Sequence, residues 1–178
     1  MRRMVRLALS ALLGANVAAE AQSGLPVTAQ TVLEGRYPGW RFADLEPRLV
    51  HQLPAGLSAA FVVADFDGDG RRDYAVQLVA PSASPDSAQQ VVALLARRNR
   101  YEPVLIMAGG VSTTVYLGRE PEGGMAVDLE RYDDRYEPST TNGGIILEHD
   151  GLTVYYAEEA ASTCYYVRPR FRCVVSGD

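Results

Sequence analysis

The sequence predicts an α+β fold in which β dominates: a single antiparallel β-rich domain of successive hairpins, with one short helix near its N-terminus. Three observations carry this expectation. Apolar runs of strand length recur from residue 59 onward, turn-forming dipeptides separate them, and only one early segment carries both a helix start and a helix stop. There is no heptad pattern, internal repeat or linker-like composition.

The helix comes first. Thr28 stands as an N-cap before "AQTVLEGRYP", and Gly-Arg-Tyr-Pro ends it, so a helix is expected over about residues 29–37. "AAFVVADF" (59–66) is a continuous apolar run, the pattern of a strand covered on both faces. "DYAVQLVA" (73–80) alternates Tyr74, Val76 and Leu78 against Ala75, Gln77 and Val79, and "PSASPDSAQQ" (81–90) reads as a polar loop. Residues 91–108 predict a hairpin turning near Asn99, with Pro103 demoting its second arm to an edge or a bulge. Residues 118–144, rich in Gly, Glu, Asp and Pro, predict a long loop with little strand. "GIILEHDGLTVYY" predicts a hairpin turning at Asp150-Gly151, a strong hairpin dipeptide.

The last hairpin, "CYYVRPRFRC", turns at Arg168-Pro169 and places Cys164 opposite Cys173. Cross-strand cysteines are close enough for a disulfide, so these two, the only cysteines, are expected to be bonded. A structural disulfide needs an oxidising compartment. The N-terminus agrees. "MRR" is followed by the apolar "LALSALLGANVAA" and by Ala19-Glu20-Ala21, a small-x-small cleavage site. The apolar run is too short to span a bilayer, and no cysteine follows it for lipid attachment. Residues 1–21 therefore read as a signal peptide and 22–178 as one exported domain, periplasmic or secreted, without stable membrane insertion.

The chain carries 17 basic and 22 acidic residues, a formal net charge of −5. Removing residues 1–21 takes away Arg2, Arg3 and Arg6 against Glu20 alone, so the exported part is more acidic still. That balance argues against nucleic acid and anionic membrane surfaces as partners.

"ADFDGDGRRDY" (64–74) is the most informative stretch. Asp65, Asp67, Asp69 and Asp73 occupy positions 1, 3, 5 and 9 of a loop with Gly70 at position 6. Calcium takes six to eight oxygens, and alternating aspartates in a tight loop can converge on one centre. Gly70 permits the turn that would let the Arg71 carbonyl join them. Two carboxylates about 5 Å apart repel by about 3 kcal/mol at an effective dielectric near 20. Without a cation, the loop is therefore expected to open. Arg71 and Arg72 are too bulky to sit inside it. Zinc lacks its nitrogen and sulfur ligands here, and magnesium rarely takes an all-protein cage. Position 12 is Val76 where a helix–loop–helix calcium hand needs a bidentate Glu, and both flanks read as strands.

The loop resembles the calcium loops of FG-GAP or integrin-alpha type (VCBS-like) repeats, in which D-x-D-G-D-G-x-x-D joins two strands of a hairpin. The match covers residues 58–80 and occurs once, without the Phe-Gly and Gly-Ala-Pro signatures, so no propeller is implied. The chain looks like small exported bacterial proteins with a single such unit. The resemblance implies calcium held by Asp65, Asp67, Asp69, the Arg71 carbonyl and Asp73, in a mainly structural role.

No nucleophile, metalloprotease or phosphate-loop motif occurs. His149, beside the Asp150-Gly151 turn, reads as a surface residue. Arg168, Arg170 and Arg172 alternate along the last hairpin and, with Tyr166 and its neighbours, form a candidate partner surface. "DLERYDDRYE" (128–137) is a second acidic cluster. The leading expectation is a calcium-stabilised binding module of the cell envelope, with a protein or a glycan as partner. An envelope hydrolase using Asp128, Asp133 and Asp134 is the alternative. An inhibitor or immunity-like partner of a secreted enzyme is a third.

Overall fold

Every residue of strand β4 (Asp73–Val79) is buried, and because successive side chains point to opposite faces of a sheet, both faces of that strand must be covered. The computed structural model describes residues 24–81, 83–127, 144–157 and 160–177. Within them β4 is flanked on one edge by β5 (Gln89–Arg97) and on the other by the short strands β1 (Arg41–Phe42) and β3 (Phe61–Ala64). The edge strand β6 (Arg100–Gly109) completes this first sheet beyond β5. A second sheet runs β12 (Arg170–Gly177), β11 (Ala160–Val167), β10 (Gly151–Tyr156), β7 (Val115–Glu120) and β2 (Leu57–Ser58). The strands β8 (Met125–Val127) and β9 (Gly144–Ile146) pair as a separate ribbon. The pairings of the described residues are antiparallel, so the fold is α+β with β dominant, as the sequence predicts.

The two sheets share a core of Val62, Ala64, Phe66, Ala75, Val91, Ala93 and Leu95 from the first and Val115, Leu117, Leu152, Val154, Cys164 and Phe171 from the second. Phe66 and Phe171 meet edge to face across it at 5.7 Å. On the other face of the first sheet lies helix α1 (Val27–Arg36), which buries Ala29 and Leu33 against Tyr74, Val76, Leu78, Val92 and Leu94. The alternation read in "DYAVQLVA" is thus real, but both of its faces are core.

The helix begins two residues earlier than expected, at Val27. Pro26, not Thr28, is its N-cap, and the Pro26 carbonyl accepts from the amides of Ala29 and Gln30. A further single turn, α2 (Pro47–Val50), lies beyond β1.

The continuous apolar run at 59–66 behaves differently from its pattern. Among the described residues β3 pairs with β4 alone, and Val63 is 39 % exposed. Pro103 falls on the edge strand β6, where its missing N–H costs no ladder bond on the open side. A bulge lies in the same pair, between Val91 and Val92.

The expected Asp150-Gly151 hairpin does not form. β9 pairs with β8, whereas β10 pairs with β7 and β11, so residues 147–150 cross from the ribbon to the second sheet. Gly151 lies within the strand, paired with Glu120, and the position suits glycine because a β-carbon there would meet Leu147 at 2.8 Å and the Cys164 carbonyl at 3.2 Å. The expected loop 118–144 likewise contains strand at its start, at 125–127 and at 144; residues 128–143 lie outside the described residues.

The last hairpin matches expectation. Cys164 faces Cys173 in register and the two are bonded, with the turn at Arg168-Pro169. Among the described residues no helix is long and apolar enough to cross a membrane. Replacing both cysteines with alanine should lower the unfolding free energy by about 2–3 kcal/mol, the entropy of closing so short a loop. Urea denaturation under non-reducing conditions measures it.

Candidate metal centre

The aspartate loop joins β3 to β4, and each carboxylate in it has a distinct environment. Asp65 closes the loop on itself: its two oxygens accept from the amides of Asp69 at 3.0 Å and Gly70 at 2.8 Å. Gly70, at φ 77°, adopts the left-handed conformation that this tight turn requires. Asp69 turns back on Arg71, taking its amide at 2.9 Å and its guanidinium at 3.2 Å. Asp73 opens β4 and is fully buried. Its carboxylate accepts from the Phe66 amide at 3.0 Å and, across the strand pair, from the Ala96 amide at 2.6 Å.

Asp67 is held differently. Its Oδ2 takes the Arg97 guanidinium at 2.6 Å, while its Oδ1 is buried with no hydrogen-bond partner among the described residues. Asp65, Asp67 and Asp73 each offer a carboxylate oxygen within 4.8 Å of the others. Asp69 stands outside that group. Arg71 is exposed on the loop's outer bend, its guanidinium on Asp69.

The loop is compact. Its carboxylates are met by the amides of Phe66, Asp69, Gly70, Arg71 and Ala96 and by two guanidinium groups, that of Arg71 on Asp69 and that of Arg97, reaching in from the end of β5, on Asp67. Arg97 also bonds Glu102 at 2.9 Å. The sequence contains no signal for this pairing, because Arg97 lies 30 residues from Asp67.

A second connection was equally hidden. Asp150 is buried, and its Oδ2 accepts from the Asp65 amide at 2.9 Å. Its Oδ1 accepts from Arg119 at 2.8 Å and from the Glu122 amide at 3.2 Å, and its own amide donates to the Asp65 carbonyl. His149, half-buried, packs on the same loop: a β-carbon on Gly68 would collide with its imidazole, and Gly68 has φ 70°. The expected free surface position of His149 is thus a contact with the loop. In the sequence, Asp150-Gly151 carries the chemistry of a turn and gives no sign of these partners.

These environments set the carboxyl groups apart. Burial pushes Asp73 up to about 6, against the favourable amides of Ala96 and Phe66, and the charges of Asp67 and Asp69 push the same way. For Asp150, burial acts upward, but the amides of Asp65 and Glu122 and the Arg119 guanidinium outweigh it and hold the group below its ordinary value.

On the last hairpin the structure divides the expected partner surface. Tyr166 faces inward, with its ring 5.3 Å from that of Phe171. Arg170 and Arg172 lie on the opposite face, where Arg172 pairs in register with Tyr165, and Arg168 is exposed at the turn. The register continues that face to Tyr155, stacked on Tyr116 at 5.0 Å and 13°. Asp128, Asp133 and Asp134 lie outside the described residues.

No family model, no curated protein and no solved structure matches this chain. The likeness of the loop to calcium-binding repeats rests on its own residues.

The donor set fits a hard cation. It consists of carboxylate oxygens, which suit calcium rather than zinc, and one of those oxygens is buried without a partner. Such an atom is costly to leave unsatisfied. With a chelator present, the contribution of Asp73 to stability should be full below the ordinary aspartate value of 3.8 and be lost as the pH rises through about 6, whereas that of Asp150, held below its ordinary value, is lost only as the pH falls below 3.8. The sign follows because Asp73 ionises more readily in the unfolded chain. Melting curves at pH 4, 5, 6 and 7 in chelator check it; a stability that rises across this range would show that Asp73 does not control it.

Proposed function

We propose that this protein is an exported, calcium-stabilised β-rich binding module. The observation that carries the metal reading is the convergence of Asp65, Asp67 and Asp73, together with the buried Oδ1 of Asp67, which has no hydrogen-bond partner among the described residues. The loop resembles the calcium loop of FG-GAP or VCBS-like repeats in spacing, and by that resemblance Asp69 and the Arg71 carbonyl would contribute further oxygens. Calcium acts mainly as a structural ion here: its loop is bonded to the second sheet through Asp150, so ordering the loop orders the contact between sheets. The disulfide supports an oxidising compartment, and the leader-like residues 1–21 support export to it.

The binding role is assigned to the outer face of the second sheet, which carries Tyr165, Arg170 and Arg172 at one end and the stacked pair Tyr116 and Tyr155 four residues further along the strands. Aromatic rings and arginine are enriched at protein interfaces, and an envelope protein or glycan with anionic groups is the matching partner.

Calcium should raise the melting temperature of residues 22–178, and excess chelator should reverse the rise. Asp67→Ala should abolish the response while still folding in chelator. A wild-type melt indifferent to both would remove the metal assignment. For the surface, the double variant R170A/R172A should melt like wild type yet lose retention on immobilised envelope glycan or protein fractions that retain the wild type. Unchanged retention would remove that surface from consideration.

A further inference from the structure

Of the three convergent aspartates, Asp67 is the one held by a side chain from outside the loop. Arg97 is the last residue of β5, and that strand end serves the loop twice. The amide of Ala96 holds Asp73, and the guanidinium of Arg97 holds Asp67. The guanidinium is itself fixed: Nη1 bonds Asp67 Oδ2 at 2.6 Å and the Ala96 carbonyl at 3.1 Å, and Nε bonds Glu102 at 2.9 Å. It stands 4.0 Å from Asp69 Oδ2. A guanidinium held on both sides gives its single bond to Asp67 Oδ2 a fixed direction, and that bond anchors one oxygen of the carboxylate. The consequence is visible on Asp67: one oxygen is taken, and the other is buried and unshared.

We infer that Arg97 is a positioning residue for the cation, holding Oδ2 of Asp67 so that Oδ1 is presented to the ion as a single, fixed ligand. The inference rests on the calcium reading and adds to it a residue outside the loop motif. A positive charge this close also repels a cation, but Glu102 on the far side of the guanidinium offsets it. The two effects oppose each other, and the substitutions below weigh orientation against charge. Partners that orient ligands in this way typically change metal affinity by about 10–100-fold when removed.

Two substitutions separate orientation from charge. Arg97→Gln removes both the fork and the charge; Arg97→Lys keeps the charge and loses the fork. Calcium titration calorimetry on residues 22–178 should show both variants binding about 10–100-fold more weakly than wild type. Terbium, an oxygen-seeking substitute for calcium, provides a second readout. Its luminescence lifetimes in H2O and D2O should count an additional coordinated water in both variants, where Asp67 has left the shell. Melting in chelator confirms that each variant is folded. If Arg97→Gln binds as tightly as wild type or more tightly, or if the water count does not change, Arg97 does not position the ligand. Absence of calcium binding by the wild type overturns the calcium reading together with this inference. Binding by the wild type and by both variants alike overturns this inference alone.

Discussion

The structure depends on one reciprocal contact, in which Asp150 and Asp65 each bond the other's backbone. A carboxylate removed from water between two sheets must have its oxygens satisfied, and Asp150 meets that demand with two amides and a guanidinium drawn from three separate segments. Those segments are the aspartate loop of the first sheet, the end of β7 in the second, and the turn leading to β8. Remove the carboxylate and all three lose a common point of attachment. The core of Phe66, Leu152 and Phe171 lies beneath this junction, so polar and apolar contacts reinforce one another there.

The same logic explains how nine residues carrying four aspartates can close. Asp65 uses both oxygens on loop amides, Asp69 divides its two between the amide and the guanidinium of Arg71, Asp73 uses its own on amides of the loop and of β5, and Asp67 is shared with Arg97. Among the described residues the Asp67 Oδ1 is the one loop carboxylate oxygen that is buried without a hydrogen-bond partner, and its residue belongs to the group whose carboxylates converge. The loop is thus partly neutralised by the protein and completed, on the reading proposed above, by an ion.

Much of the architecture was legible in the sequence because it depends on local pattern. The helix, the β5–β6 hairpin and the cysteine hairpin are each specified by neighbouring residues: turn chemistry, period and register. The aspartate spacing was legible for the same reason. What was not legible is non-local. "AAFVVADF" has the composition of a doubly covered strand, yet its position at the sheet edge leaves Val63 open, and no local pattern reports position in a sheet. Asp150-Gly151 has the chemistry of a turn, yet Asp150 is claimed by partners up to 85 residues away. Arg97 and Arg119 were hidden likewise. Long-range hydrogen bonds overrode local preference at these points, and they gather around the candidate site.

The distance along the chain between Asp65 and Asp150 bears on the order of assembly. The loop and its two strands span a short stretch and can form as a hairpin once residue 79 is present. Their fastening to the second sheet waits for a segment 85 residues further on, and contacts of such separation are the slow ones in folding. A chain emerging from its N-terminus therefore presents its aspartates well before the partner that locks them arrives. During that interval the loop is an acidic, solvent-accessible hairpin. Maturation then ends with the joining of two halves already partly formed.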